Sequence, residues 1–338
     1  MKADSIVSLD HGSGGLASQN LISGLFLKYL TCPQLRDLED CAVLGEYAGR
    51  IAFSTDSYVV DPLFFPGGDI GELAVHGTIN DLAMRGARPI ALSLALIIEE
   101  GFPLADLERV IASVARCCEA AGVAVVTGDT KVVPRGKADR LFVNTTGIGI
   151  ASHRIEISGK RARVGDAVLI SGTLADHGIT IMSCQAGIAI GGDIASDTQP
   201  LHRLVAALLE EEDGAVHVLR DPTRGGLATT LCEIARSSKV GITIEEELLP
   251  IRPAVNTACE LIGLDPLYLA NEGKCLIICD QARAEAVLQL LRRMPEGREA
   301  ALIGRVVENR EGRVSLTTRI GGSRLLEPLT GQPLPRIC

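Results

Sequence analysis

The chain has 338 residues, 46% of them hydrophobic, with 33 basic against 42 acidic side chains and a formal net charge of −9. That length supports about two domains and a large buried core, and the apolar share excludes a disordered chain. The acidic balance argues against a protein built to grip nucleic acid, a task that needs a cationic footprint.

Met1 to Gly15 has no apolar core of signal-peptide type, and apolar runs such as Ile90 to Ile98 are far too short to span a bilayer. A cytoplasmic location with no membrane partner is expected, with the ten cysteines as reduced thiols. From residue 40 to about 150 strands alternate with helices. The pattern predicts strands at 41–44 and 51–55, a helix at 71–84, a strand at 90–97, a helix at 104–121, and strands at 123–126 and 141–150. It restarts with a strand at 166–170, helices after Gly178 and at 201–211, a strand at 216–219, a helix at 227–237 and a strand at 242–246. A helix at 254–262, a strand at 275–279, a helix at 282–294 and strands at 302–307 and 314–317 complete it. Polar and basic residues interrupt the apolar pattern near 155–164. The reading is α/β with mixed sheets, comprising an N-terminal arm (1–39), two domains (40–155 and 156–327) and a tail (328–338).

Pro328, Pro333 and Pro335 deny the tail a helix, and at ~3.1 Å per residue it can reach about 30 Å. It ends on Cys338. The other nine cysteines read as packing residues. Cys275 and Cys279 share a predicted strand that sets them ~13 Å apart, too far for one metal ion, and Cys117 and Cys118 point ~100° apart on a helix.

On the helix at 71–84, Asp81 shares a stripe with Ile70, Leu73, Ala74, Gly77 and Met84, so a carboxylate occupies an apolar face. A buried carboxylate calls for a cation, either a metal or an arginine such as Arg85. Asp40, Asp56 and Asp129 stand where predicted strands begin or end, the place where ligand crevices open in α/β folds. Carboxylates gathered there suit Mg²⁺ shared with nucleotide phosphates. His11-Gly-Ser-Gly-Gly15, Gly67-Gly68 and Arg224-Gly225-Gly226 can turn backbone N–H groups onto an anion, and the last opens a helix. Neither the P-loop nor the dinucleotide fingerprint is present. Lys131, two residues past Asp129, is either placed to neutralise phosphate or a solvated loop lysine. Glu272, in a short turn between two apolar stretches, is either a turn residue or a general base at a cleft edge. His11, His76 and His177 lack the spacing of a zinc set.

Taken together, these segments resemble HypE, a family of hydrogenase maturation proteins in the PurM-like (aminoimidazole ribonucleotide synthetase) ATP-binding superfamily. The resemblance runs from His11 to Cys338. It rests on His11-Gly-Ser-Gly-Gly15, Ser54-Thr-Asp-Ser57, Asn80-Asp81-Leu82, Thr127-Gly-Asp-Thr-Lys131, Asp221-Pro-Thr-Arg-Gly-Gly226, Asn271-Glu-Gly273 and the ending Leu334-Pro-Arg-Ile-Cys338. A PurM-like two-domain fold with an extended C-terminal tail is implied, and with it an ATP-dependent dehydration. A carbamoyl group loaded on the Cys338 sulfur by the carbamoyltransferase HypF becomes a thiocyanate. The cyano group then passes to iron held by the HypC–HypD complex, for the [NiFe] hydrogenase centre.

The same resemblance implies that Asp40, Asp56, Asp81 and Asp129 hold Mg²⁺ on ATP. It implies that His11, Gly12, Gly14 and Gly15 close over phosphates, and that Thr223, Arg224, Gly225 and Gly226, with Lys131, contact phosphate or substrate. Glu272 takes protons from the carbamoyl nitrogen, and the protein is a homodimer with its nucleotide cleft near the interface. Glu39-Asp40-Cys41 departs from the Asp-Asp-Ala frequent in the superfamily. Two rival readings stand beside this one. The first is a selenophosphate synthetase or small-molecule kinase of the same superfamily, against which His11 weighs, since the synthetases carry a reactive Cys or Sec near that loop. The second is a non-enzymatic carrier that uses the tail for docking.

Overall fold

The computed structural model describes residues 6–13, 15–36, 38, 41–153, 156–188, 194–212, 214–329 and 336–338. Gly14, Asp40, Pro333 and Pro335 lie outside the described residues.

Strand β1 (Arg50–Tyr58), helix α1 (Ile70–Ala83), strand β2 (Ala87–Glu99), helix α2 (Leu104–Ala121) and strands β3 (Ala124–Val133) and β4 (Leu141–Ala151) follow one another. The four strands form a sheet in the order β1-β4-β2-β3. Only β2 and β3 run parallel, joined by α2 as the crossover that parallel pairing requires. Helix α2 begins after Pro103 and stops at Gly122, whose φ of 69° is the left-handed cap glycine favours. Its buried stripe of Leu107, Val110, Ile111, Val114, Cys117, Cys118 and Ala121 has the three-to-four spacing of an amphipathic helix. One sheet face packs on this core, while the other leaves Ile51 74% and Phe53 68% exposed.

The second half contains β5 (Ala167–Ile170), α3 (Asp176–Ala186), α4 (His202–Glu211), β6 (Val216–Arg220), α5 (Gly226–Ser238), β7 (Gly241–Glu245), α6 (Pro253–Ile262), β8 (Leu276–Cys279), α7 (Ala284–Arg293), β9 (Ala301–Val307), β10 (Val314–Thr317) and β11 (Ser323–Leu326). Its seven-stranded sheet has the order β11-β10-β7-β9-β5-β8-β6, antiparallel except where β10 meets β7. The central strands β5 and β8 are buried at every residue, which explains their unbroken apolar sequence.

Four expectations change. The run at 41–44 forms no strand, because its apolar residues find no core: Val43 is 81% exposed. The helical turns at Leu16–Leu21 and the edge strand Ser323–Leu326 were not anticipated, since neither segment carries a clear apolar period. Asp56 and Asp129 lie inside strands rather than at their ends, since β1 runs to Tyr58 and β3 to Val133. Finally, only six of the nine other cysteines are buried; Cys41 is exposed and Cys32 and Cys184 are half-buried.

Candidate active site

Helix α1 is enclosed on nearly all sides: of its fourteen residues only Glu72 and Asp81 escape burial. Asp81 is therefore a polar window in a buried helix rather than a misfit on an amphipathic one. It opens into a cleft of about 490 Å³ between β1, the end of α1 and the segment from Leu219 to Glu233. Ser54 Oγ donates to Asp81 Oδ2 at 2.6 Å, and no ion pair to Asp81 forms among the described residues. Burial raises the Asp81 carboxyl above its usual range, Ser54 opposes the rise, Asp56 adds to it, and Arg220 and Arg224 offset part.

Asp56, Thr223 and Arg224 line the same cleft, as does Asp221, which sequence reasoning quoted only as part of a motif. The Asp221 carboxyl is pushed up to about 7, first by burial and then by the charge of Asp81. The cleft thus collects three aspartates and three arginines, Arg85, Arg220 and Arg224. Among the described residues no three acidic, His or Cys side chains close on one point at metal-ligand spacing. The donors are hard carboxylate oxygens, which suit Mg²⁺ because that ion needs only one or two of them and completes its shell with water and phosphate.

Glu272 lies outside the lining of that cleft, in the turn before β8. It is 4% exposed, its Oε1 has no hydrogen-bond partner, and Asp197 Oδ1 accepts from its backbone N–H at 3.1 Å. Burial drives its carboxyl well above the ordinary value, and Asp197, Asp221, Asp56 and Asp81 push in the same direction. The end of the tail seats Cys338 beside the end of β1, within reach of the Glu272 charge. Its terminal carboxylate accepts from Val59 N–H at 3.0 Å, one residue beyond β1. Burial pushes the Cys338 thiol up to about 12, with Glu272 raising it, Arg224 lowering it and Asp56 raising it. Asp56 acts on Tyr58, Glu272 and Cys338 alike, and Glu272 on the other two.

A second cleft, of about 240 Å³, holds the remaining candidates. His11 and Gly12 face Gly128, Asp129, Thr130 and Lys131 across a floor that includes Leu21, Phe26 and Leu94. Lys131 Nζ donates to Asp129 Oδ1 at 2.8 Å, with both side chains more than half exposed. Asp129 is thus engaged with Lys131. Asp129 pairs with Ala95 on β2, and one further strand, β4, lies between β2 and β1, so three strand spacings set it ~14 Å from the Asp56 edge of the sheet. One ion cannot take both.

The glycines divide by role. A Cβ at Gly12 would lie 2.5 Å from Val132 N, so glycine lets the N-terminal loop lie flat on β3. Gly15 precedes helix Leu16–Leu21 and has no close neighbour beyond Ser13. Gly225 and Gly226 open α5 with φ of 76° and 61°, and a Cβ at Gly226 would meet Leu267 O at 2.5 Å. Gly226 therefore serves packing of the chain on itself. The same holds for Gly67, whose Cβ would lie 2.6 Å from Ser196 O.

Models of the AIR synthase related protein N-terminal and C-terminal domains match residues 38–151 and 163–317. Carbamoyl dehydratase HypE of Azotobacter vinelandii is 52% identical over 332 residues, which covers 98% of this chain and 97% of that one. The chain belongs to the HypE family. A crystal structure of a HypE in complex with ATP superposes with a TM-score of 0.94 at 53% identity, covering 98% of this chain and 99% of that one. A HypE in a HypE–HypF complex gives a TM-score of 0.80 at 46% identity, covering 91% and 99%. The fold is accordingly PurM-like α/β with mixed sheets, as the HypE resemblance implies.

Proposed function

We propose that the chain is an ATP-dependent carbamoyl dehydratase acting on its own C-terminal cysteine, and that it supplies the cyano ligands of [NiFe] hydrogenase iron. The observation that carries this reading is the seat of Cys338, whose thiol lies under the influence of the buried Glu272 carboxyl and of Arg224 and Asp56.

The chemistry follows from the substrate. In an S-carbamoyl group, S–C(=O)–NH₂, the oxygen is a poor leaving group. Transfer of the γ-phosphoryl group to that oxygen, with loss of one proton from nitrogen, gives an imidate phosphate. Loss of phosphate and of the second proton leaves S–C≡N. Glu272 is suited to receive these protons, because a carboxylate with a raised pKa is a stronger base than an exposed one. Lys131 and Arg224 are suited to offset phosphate charge. Asp56 and Asp81 are the best-placed carboxylates for Mg²⁺, which when bound neutralises phosphate oxygens; Asp129 acts through Lys131.

Three further parts belong to the same proposal. HypF loads the carbamoyl group, since a docked thiol pushed up to about 12 is almost wholly protonated and a poor nucleophile, so loading takes place with the tail released. The HypC–HypD complex receives the cyano group. The uncovered sheet face with Ile51, Phe53 and Ile97 is the surface of a homodimer, as an apolar patch of that kind requires a cover. The division proposed is an arm (1–39), domains 40–155 and 156–327 and a carrier tail (328–338); strands of the first sheet line part of both clefts. Among the described residues no helix is long and apolar enough to cross a membrane, and ten free thiols suit the cytoplasm.

The test is the intact mass of the C-terminal peptide. After HypF and carbamoyl phosphate have loaded the protein, Mg-ATP should remove the mass of one water from Cys338, and Cys338→Ala should abolish loading. ATP hydrolysis that continues at the full rate with the tail deleted and no acceptor present would overturn the assignment.

A further inference from the structure

The last three residues are held by contacts that do different work. Arg336 pairs with Asp139 and donates to Val59 O at 2.7 Å, and its carbonyl accepts from Asp61 N–H at 3.2 Å. Ile337 is 4% exposed and lies in the core of the first half. The carbonyl of Ile337, adjoining the Cys338 amide, meets a single side chain, His177 Nε2 at 2.8 Å.

His177 lies in the first turn of α3 and is fully buried, with Phe65 edge-on at 5.7 Å between ring centroids. A carbonyl can only accept, so Nε2 carries the ring hydrogen and Nδ1 is the acceptor. Ser196 Oγ, 2.8 Å from Nδ1, supplies the matching donor, and Thr198 N–H in turn donates to Ser196 Oγ at 3.2 Å. Ser196 is itself fixed, because its N–H donates to Pro66 O at 2.8 Å. The relay from Thr198 through Ser196 and His177 to Ile337 is therefore satisfied at every atom and sets one tautomer. Burial lowers the imidazole pKa and favours that neutral form.

We infer that His177 is the latch of the C-terminal tail, a positioning residue that grips the peptide beside Cys338 and, held by Ser196, orients the sulfur toward Glu272. The inference rests on Cys338 being the carrier of the reacting group. A latch has an opposite effect on the two halves of the cycle. It slows any reaction that needs the thiol released and speeds the reaction that needs it docked.

The experiment compares wild type, His177→Ala, His177→Gln and Ser196→Ala as full-length proteins. Alkylation of Cys338 by iodoacetamide, followed by mass on the C-terminal peptide, reports release; single-turnover water loss from the preloaded protein with Mg-ATP reports docking. Removing one neutral hydrogen bond should speed alkylation about fivefold to tenfold in His177→Ala and slow water loss by a smaller factor, about twofold, because a mostly docked tail gives up only part of its docked share. His177→Gln keeps an N–H donor and should stay near wild type in both, and Ser196→Ala should move both in the alanine direction, alkylation by about twofold. If His177→Ala fails to fold, the glutamine and Ser196 variants decide. Unchanged alkylation in His177→Ala and Ser196→Ala, or a fall of both rates together, overturns the latch. Absence of water loss in wild type would overturn the dehydratase reading alone, since alkylation needs no carbamoyl chemistry.

Discussion

Asp221→Asn removes a charge from the deep wall of the cleft and is expected to stabilise the ligand-free protein. The Asp221 carboxyl is raised from 3.8 to about 7. That difference is about three pH units, each equivalent to about 1.4 kcal/mol. Ionising Asp221 in the folded state therefore costs about 4 kcal/mol, a ceiling that water in the cleft lowers. The sign is set by which state keeps the proton. Between pH 4 and 7 the folded chain holds a proton that the unfolded chain has lost, so stability falls as pH rises, and the full cost is present above pH 7. Below pH 4 both states are protonated and the cost vanishes. Urea unfolding of wild type and variant from pH 4 to 8, in EDTA and without nucleotide, measures this. The wild-type curve should lose up to about 1.4 kcal/mol per pH unit more than the variant across that window. Parallel curves would refute the account of Asp221 as a carboxyl whose charge desolvation and Asp81 disfavour by more than Arg220 offsets. Mg-ATP should shrink the gap at pH 8, because cations in the cleft favour the ionised form.

Asp81→Asn can keep the hydrogen bond from Ser54, so its urea midpoint should stay near wild type while single-turnover dehydration falls about 10²-fold; full turnover would remove Asp81 from the Mg²⁺ site. Glu272→Gln should bind ATP normally by calorimetry yet dehydrate about 10²- to 10⁴-fold more slowly. In wild type the dehydration rate should rise with pH and level off above the ordinary carboxylate range, because burial raises Glu272; a flat profile would exclude it as the base. Gly226→Ala meets both a φ of 61° and a contact of 2.5 Å with Leu267 O, and should cost about 2 kcal/mol or more in urea unfolding.

Period and capping residues were enough to place most elements. The helix at 104–121 has matching bounds in sequence and structure, because Pro103 and Gly122 mark its ends and its apolar spacing is unbroken. Single candidates were legible by different signals: Asp81 as a carboxylate on an apolar helix face, Glu272 as one between two apolar stretches, Asp56 by its place near a strand end, Arg224 by its glycine cluster and Cys338 by the proline-rich tail. Their grouping was not legible, because it depends on which strands are neighbours. The order β1-β4-β2-β3 puts Asp129 and Lys131 at one edge of the sheet and Asp56 at the other, and the order of a sheet is a long-range property. Asp221 joined the cleft for the same reason, and the close approach of Gly226 to Leu267 O has no local sequence signal.

The sequence by itself determined the element types, the acidic and glycine-rich motifs and the presence of a cysteine on a proline-stiffened arm. Only the tertiary structure decided where that arm ends. Backbone pairing of Arg336 and Cys338 with residues 59–61, burial of Ile337 and the bond from His177 seat the last residue beside the end of β1, where the Glu272 charge helps raise its thiol pKa. Those contacts join residues more than 150 positions apart, and no local period records them.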